Sequence, residues 1–255
     1  MGSPLTRVAA FALCVLCATT VPAATFSTNA TIDAMVSTGE TGNLVNNNYG
    51  GAGAISVSAA GQEMGELQSV LQFNLGGAVS AFDSQYGAGQ WTIQSVTLQL
   101  TAGSANNPIF NSPAAGMLAF SWMQNDSWQE GTGSPSSPGT IGITFNSLQN
   151  TYISAGDQNL GTFGFDGGTS GPRTFTLGLA SGFVNDIASG NNVSLRLFAA
   201  DATVSGVFSS RNFGIVANRP LLTVVGVPEP STVALAGIGL LLAAGWTFRL
   251  RAGRR

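Results

Sequence analysis

Residues 91–100, WTIQSVTLQL, carry the pattern that decides the fold: Trp91, Ile93, Val96, Leu98 and Leu100 are apolar, with polar residues between them. A period of two sends successive side chains to opposite faces, which predicts a half-buried β-strand rather than a helix. The phase slips once, at Gln94-Ser95, and an extra residue at that point predicts a β-bulge. Working outward, runs of strand length recur at 31–36, 54–59, 67–75, 116–123, 141–145, 173–179, 193–198, 207–210 and 221–225, separated by Gly, Asn, Ser and Pro. Short strands with turn chemistry between them predict an all-β fold, a jelly-roll or β-sandwich. Only Ser181–Ser189 has apolar residues at helical spacing (Phe183, Val184, Ile187), with Ser181 placed to cap it. No linker or repeat divides the body, so residues 25–226 are expected to form one domain between two hydrophobic ends.

Composition removes most chemistry. The chain has 255 residues, no His, and nine basic residues, all Arg. Five of them, Arg7, Arg249, Arg251, Arg254 and Arg255, lie at the ends, leaving four arginines against eleven carboxylates over 25–226, a net charge of −7. Such a body repels nucleic acid and anionic lipid. Without His or Lys, neither a Ser-His-Asp arrangement, nor a Schiff base, nor a phosphate-binding P-loop can be built. Both cysteines, Cys14 and Cys17, fall in the N-terminal apolar run, so the body has no thiol for a disulfide or a zinc site.

Carboxylate chemistry survives. In WMQNDSWQEG (122–131), Asp126 and Glu130 stand beside Trp122 and Trp128. Two carboxylates can hydrolyse a glycosidic bond, and aromatic rings can stack on sugars. The plainer reading is a turn between strands with both Trp residues in the core. Oxygen ligands for Ca2+ are present as Asp33, Asp126, Asp157, Asp166 and Asp201, but they are dispersed and follow no EF-hand spacing, so no cofactor is expected and the metal content is open. AGDQNLGTFGFDGG (155–168) reads as a solvated loop, and NNNYGGAG (46–53) as turn chemistry.

The ends state a destination. Residues 1–24 have a basic n-region at Arg7, an apolar run over 8–21 and the small residues Pro22-Ala23-Ala24, which predicts a secretory signal cleaved at Ala24 after Sec export. Residues 231–248 are uncharged and mostly apolar, about 27 Å long as a helix, which predicts a transmembrane helix. The arginine cluster Arg249, Arg251, Arg254 and Arg255 follows as a stop-transfer signal that keeps the body outside. Between body and span, Pro228-Glu229-Pro230 holds the backbone extended.

This order of Val227-Pro228-Glu229-Pro230-Ser231, an Ala/Gly/Leu-rich span and an Arg-rich end resembles PEP-CTERM sorting signals. The resemblance implies recognition by an exosortase, a membrane cysteine transpeptidase of Gram-negative bacteria that make exopolysaccharide. It further implies removal of the tail and delivery of the body to the cell surface or extracellular matrix. In the body, NNNYGG (46–51), SVLQFNL (69–75), TIQSVTLQL (92–100), FVNDIASGNNVSLRL (183–197), FSSRN (208–212) and RPLLTVV (219–225) together resemble DNRLRE-type domains, jelly-roll modules similar to carbohydrate-binding modules. The pattern departs at Asn212, where that family carries Glu, and at Asn185-Asp186, where it often carries Trp. The expectation is therefore a non-enzymatic, exosortase-processed surface or biofilm-matrix protein associated with exopolysaccharide. The alternative is a carboxylate-dependent glycan hydrolase or lyase.

Overall fold

The computed structural model describes residues 22–229. The expected signal run, the transmembrane helix at 231–248 and the arginine cluster lie outside the described residues, apart from Pro22–Ala24. Among the described residues no helix is long and apolar enough to cross a membrane. Eleven strands make the body: β1 Ala24–Asn29, β2 Ile32–Ser37, β3 Ala54–Ser58, β4 Leu67–Asn74, β5 Trp91–Gly103, β6 Gly116–Met123, β7 Gln158–Phe165, β8 Pro172–Leu177, β9 Asn192–Ala199, β10 Ser205–Ser209 and β11 Leu221–Pro228. Three α-helical pieces interrupt them: α1 Gly76–Tyr86, the single turn α2 Phe145–Ser147 and α3 Ser181–Ser189.

The quoted stretch is the first ten residues of β5, and its phase slip is a bulge. Val225 of β11 faces Ser95 while Gly226 faces Ile93, so Gln94 is the extra residue. On either side of it the apolar residues keep to one face. β11 pairs one edge of β5 and β8 the other, and β1 adds to β11, all antiparallel. A second layer runs β4-β9-β6-β7, with β2 on the free edge of β4 and with β3 and β10 joined to it. Only Ala102 and Gly103, pairing with β10, connect β5 to that layer, so the sheet curls on itself into a β-sandwich.

The two inner faces form one core. Val96, Leu98 and Leu100 from β5, Leu222 and Val224 from β11 and Phe175 from β8 meet Leu71, Phe73, Phe120, Leu195 and Leu197 of the other layer. Phe120 and Phe175 touch across the gap with ring centroids 5.1 Å apart, a tilted contact that suits the aromatic quadrupole. Ala78 and Phe82 of α1, with Phe183 and Ile187 of α3, bury into the same cluster.

Five local expectations change. α1 has no polar N-cap side chain and opens on Gly76-Gly77, and it buries only Ala78 and Phe82, so nothing in its sequence marks a helix. β7 occupies much of the stretch read as a solvated loop: Leu160 is an extra residue against β6, since Phe120 faces Gly161 and Ser121 faces Asn159, and this bulge hides the alternation. Residues 141–145 are not a strand, because the chain there lies over the outer face of β2 and β4 and turns into α2. Ser181 is the first residue of α3 and not its cap; the side chain of Gln158 accepts from Gly182 N–H at 2.8 Å instead. β1 was not foreseen either, being a half-exposed edge strand with one large apolar residue, Phe26.

Candidate functional site

The sorting tripeptide begins inside the sheet. Val227 and Pro228 are the last residues of β11 and face Thr92 and Trp91 of β5, while Glu229 N–H donates to the Gln90 carbonyl at 3.0 Å. The strand thus continues two residues past the expected end of the domain at 226. Pro228 costs the ladder little at a strand terminus, because its missing N–H is needed only in a strand interior. Of the four motif residues Val227, Pro228, Glu229 and Pro230, the first two are half-buried, Glu229 is exposed and Pro230 lies outside the described residues.

The expected signal-cleavage residue sits beside them. Ala24 opens β1 and is the register partner of Gly226, an antiparallel pairing that sets the two Cα atoms about 5 Å apart. Both ends of the body therefore leave from one corner. Helix α1 builds that corner: Tyr86 Oη donates to the Pro22 and Gly226 carbonyls (2.8 and 3.0 Å), and Asp83 Oδ1 accepts from Trp91 Nε1 at 2.7 Å. The Phe82 and Trp91 rings meet at 4.9 Å. Gly226 lies in close approach to the helix, since a Cβ there would meet three Phe82 ring atoms at 3.1–3.2 Å. Tyr86, Gln90 and Gly226 carry no sequence signal of this role; only the pairing of β11 with β5 assembles them.

The candidate glycan contacts do not converge. Trp122 and Trp128 are 6% and 3% exposed, so neither ring offers a face to a sugar. Their indole N–H groups bond Asp186 Oδ2 at 2.9 Å and Ser194 Oγ at 2.8 Å, as buried indoles need. Asp126 borders a cavity of about 620 Å3 together with Gln124, Asn125, Ser127 and Ser154, and Glu130 is not among its walls. Burial raises the Asp126 carboxyl above the usual carboxylate range, the Ser194 hydroxyl pulls it back, and Oδ1 has no hydrogen-bond partner.

Glu130 belongs to a different cluster. Its carboxylate takes a two-pronged ion pair from Arg211 and accepts from Asp33 N–H at 3.0 Å. Asp33, 1% exposed, accepts from Arg211 N–H at 2.6 Å, and burial pushes its carboxyl up to about 7. Beside it Asn48, fully buried, donates to the Glu130 and Ile143 carbonyls at 2.7 Å each and accepts from Gly50 and Gly133 N–H. A Cβ at Gly131, where φ is +75°, would meet Asn48 Oδ1 at 2.2 Å. The arrangement fastens the 129–143 segment to the 46–51 loop and engages both Glu130 carboxylate oxygens with Arg211, while Asp126 lines a different cavity. NNNYGG is accordingly more than a turn: Asn48 and Tyr49 are core residues.

The other dispersed carboxylates close loops. Asp157 accepts from Gln124 N–H at 3.0 Å, Asp166 pairs with Arg173 at 2.9 Å, and Asp201 accepts from Thr203 and Val204 N–H (2.9 and 2.8 Å). The Gly168 N–H and then the Arg173 guanidinium hold Asp166, and the Thr203 and Val204 N–H groups hold Asp201, below the usual carboxylate range. Among the described residues no three of His, Cys, Asp and Glu gather as metal ligands.

No curated protein matches the chain. Among solved structures, one from Desmodium yellow mottle tymovirus aligns at 8% identity over 82% of this chain and 88% of that one, with a TM-score of 0.23. Residues 226–255 match the family model described as the PEP-CTERM protein-sorting motif, and that signal implies export, a membrane-anchored precursor and an exosortase as its processing partner.

Proposed function

We propose that this chain is a surface or extracellular-matrix protein of a Gram-negative cell, non-enzymatic, with a DNRLRE-like jelly-roll body that associates with exopolysaccharide in a biofilm. The observation that carries the reading is the sorting signal at 226–255, entered directly from the last strand of a folded β body. Signal peptidase would release the other end from the same corner. The sequence supports a non-catalytic role: no His or Lys is present, and Glu130, half of the carboxylate pair, is tied to Arg211. A body of net charge −7 suits neutral or cation-bridged polymers better than anionic surfaces.

Intact mass of the protein from envelope and medium of its native host, with and without the exosortase, tests the sorting half. The expected species begins near Thr25, lacks the tail, and disappears from the medium when the exosortase is deleted; a chain carrying Arg255 in both strains would overturn it. A glycan-binding screen with the secreted body tests the other half. Turnover of a polysaccharide by that body would replace the reading with an enzymatic one.

A further inference from the structure

We infer that the folded sheet itself sets the limit of tail processing: the cut falls beyond Glu229, and the mature protein keeps β11 whole through Pro228. This rests on the exosortase reading above and concerns which bond is cut, not whether one is cut. A processing enzyme takes its substrate as an extended segment whose backbone groups are free to pair with the enzyme. Through Pro228 that backbone is already paired. Val227 and Pro228 are in register with Thr92 and Trp91, the nitrogen of the Pro228–Glu229 bond donates to Gln90, and Tyr86 holds the Gly226 carbonyl. Cutting at or before Pro228–Glu229 would first require peeling the strand from β5.

A cut before Gly226 would also begin to remove the β11 residues that hold β1, whose register partners run from Leu221 to Gly226. Pro230 follows Glu229 directly, and the apolar run starts at Ser231, so in the sequence only Glu229 and Pro230 separate the last strand residue from that run. In the reaction the C–N bond opens and the carbonyl carbon passes to water or to an amine or hydroxyl acceptor. The released nitrogen takes the acceptor's proton. The retained acyl group belongs to Glu229 or a residue after it.

The test is top-down mass spectrometry of the mature protein from its native host, with fragmentation to identify the last residue. An end at Glu229 or later supports the inference. An end at Pro228 or earlier overturns it while leaving exosortase processing intact, and an uncut chain ending at Arg255 overturns both. A second variant probes the cause: Gly226→Val presses a side chain against Phe82 and loosens the strand end. In exosortase-deficient cells its precursor should exchange the Glu229 amide at least about tenfold faster. In wild-type cells it should yield additional, shorter C-termini. Faster exchange with an unchanged C-terminus would show that the enzyme reads sequence alone and would overturn the sheet's role.

Discussion

β5 and the 124–153 segment are both essential to the body, and they are held by opposite means. β5 is bonded along its length by repeating backbone ladders to β8 and β11 and presents Val96, Leu98 and Leu100 to the core at regular intervals. The 124–153 segment has no strand and covers the outer face of β2 and β4 with Trp128, Ile143 and Leu148. It is fixed by side-chain hydrogen bonds that converge on Asn48, Glu130 and Ser194. A ladder spreads its stability over many equivalent bonds, whereas a hub concentrates it in one side chain. Point substitutions should therefore separate the two regions.

The largest effect is expected at the hub. Asn48→Ala strands the buried carbonyls of Glu130 and Ile143 and the N–H groups of Gly50 and Gly133, and should destabilise the body by roughly 3–5 kcal/mol in urea unfolding. A loss under about 1 kcal/mol would mean that the segment is held by its apolar contacts instead. In β5, Leu98→Ala empties a fully buried site and should cost about 2–4 kcal/mol, with the rest of the ladder keeping the strand in place. Limited proteolysis sharpens the contrast: Asn48→Ala should admit cleavage between 129 and 143 before global unfolding, while Leu98→Ala should not.

Next in size is a pH effect. The folded-state carboxyl of Asp33 is raised to about 7, so its favourable contribution is complete below the unfolded value near 3.8 and is lost as pH rises through about 7. Asp166 and Asp201, shifted downward, act in the opposite sense at acid pH. The difference in urea midpoint between wild type and Asp33→Asn should therefore grow in favour of the variant from pH 4 to pH 7 and level off above. A pH-independent difference would show that Asp33 stays ionised throughout. The smallest effect is expected at Trp128→Phe, which keeps a six-membered ring in the cluster but loses the rest of the indole and its bond to Ser194 Oγ, at about 1–2 kcal/mol.

The same contrast explains which parts were legible. β5 and α3 were readable because burial on one face imposes a period on the sequence, β6 because it is a mostly apolar run of strand length, and even the Gln94 bulge left a visible slip. β7 carries a bulge that breaks its period, α1 has neither cap nor strong amphipathic pattern, and β1 is a polar edge, so each was silent. The WMQNDSWQEG stretch left two readings open, a sugar site suggested by its residue types and the plainer turn with both Trp residues in the core. In the folded chain both indoles are buried and Glu130 meets Arg211, 81 positions away in the chain.

By itself the sequence determined the all-β class, the strands whose one buried face leaves a period of two, the lack of histidine and lysine chemistry, and the sorting signal at 226–255. These depend on local order along the chain, which periodicity and composition record directly. Tertiary structure alone decided that Asp126 and Glu130 part company, that Asn48 is a hub, and that Ala24 and Gly226 share one corner under Tyr86. Those outcomes depend on which strands pair across 80 to 200 residues. Nothing in the local pattern of either partner encodes the other's address, and only closure of the sandwich brings them together.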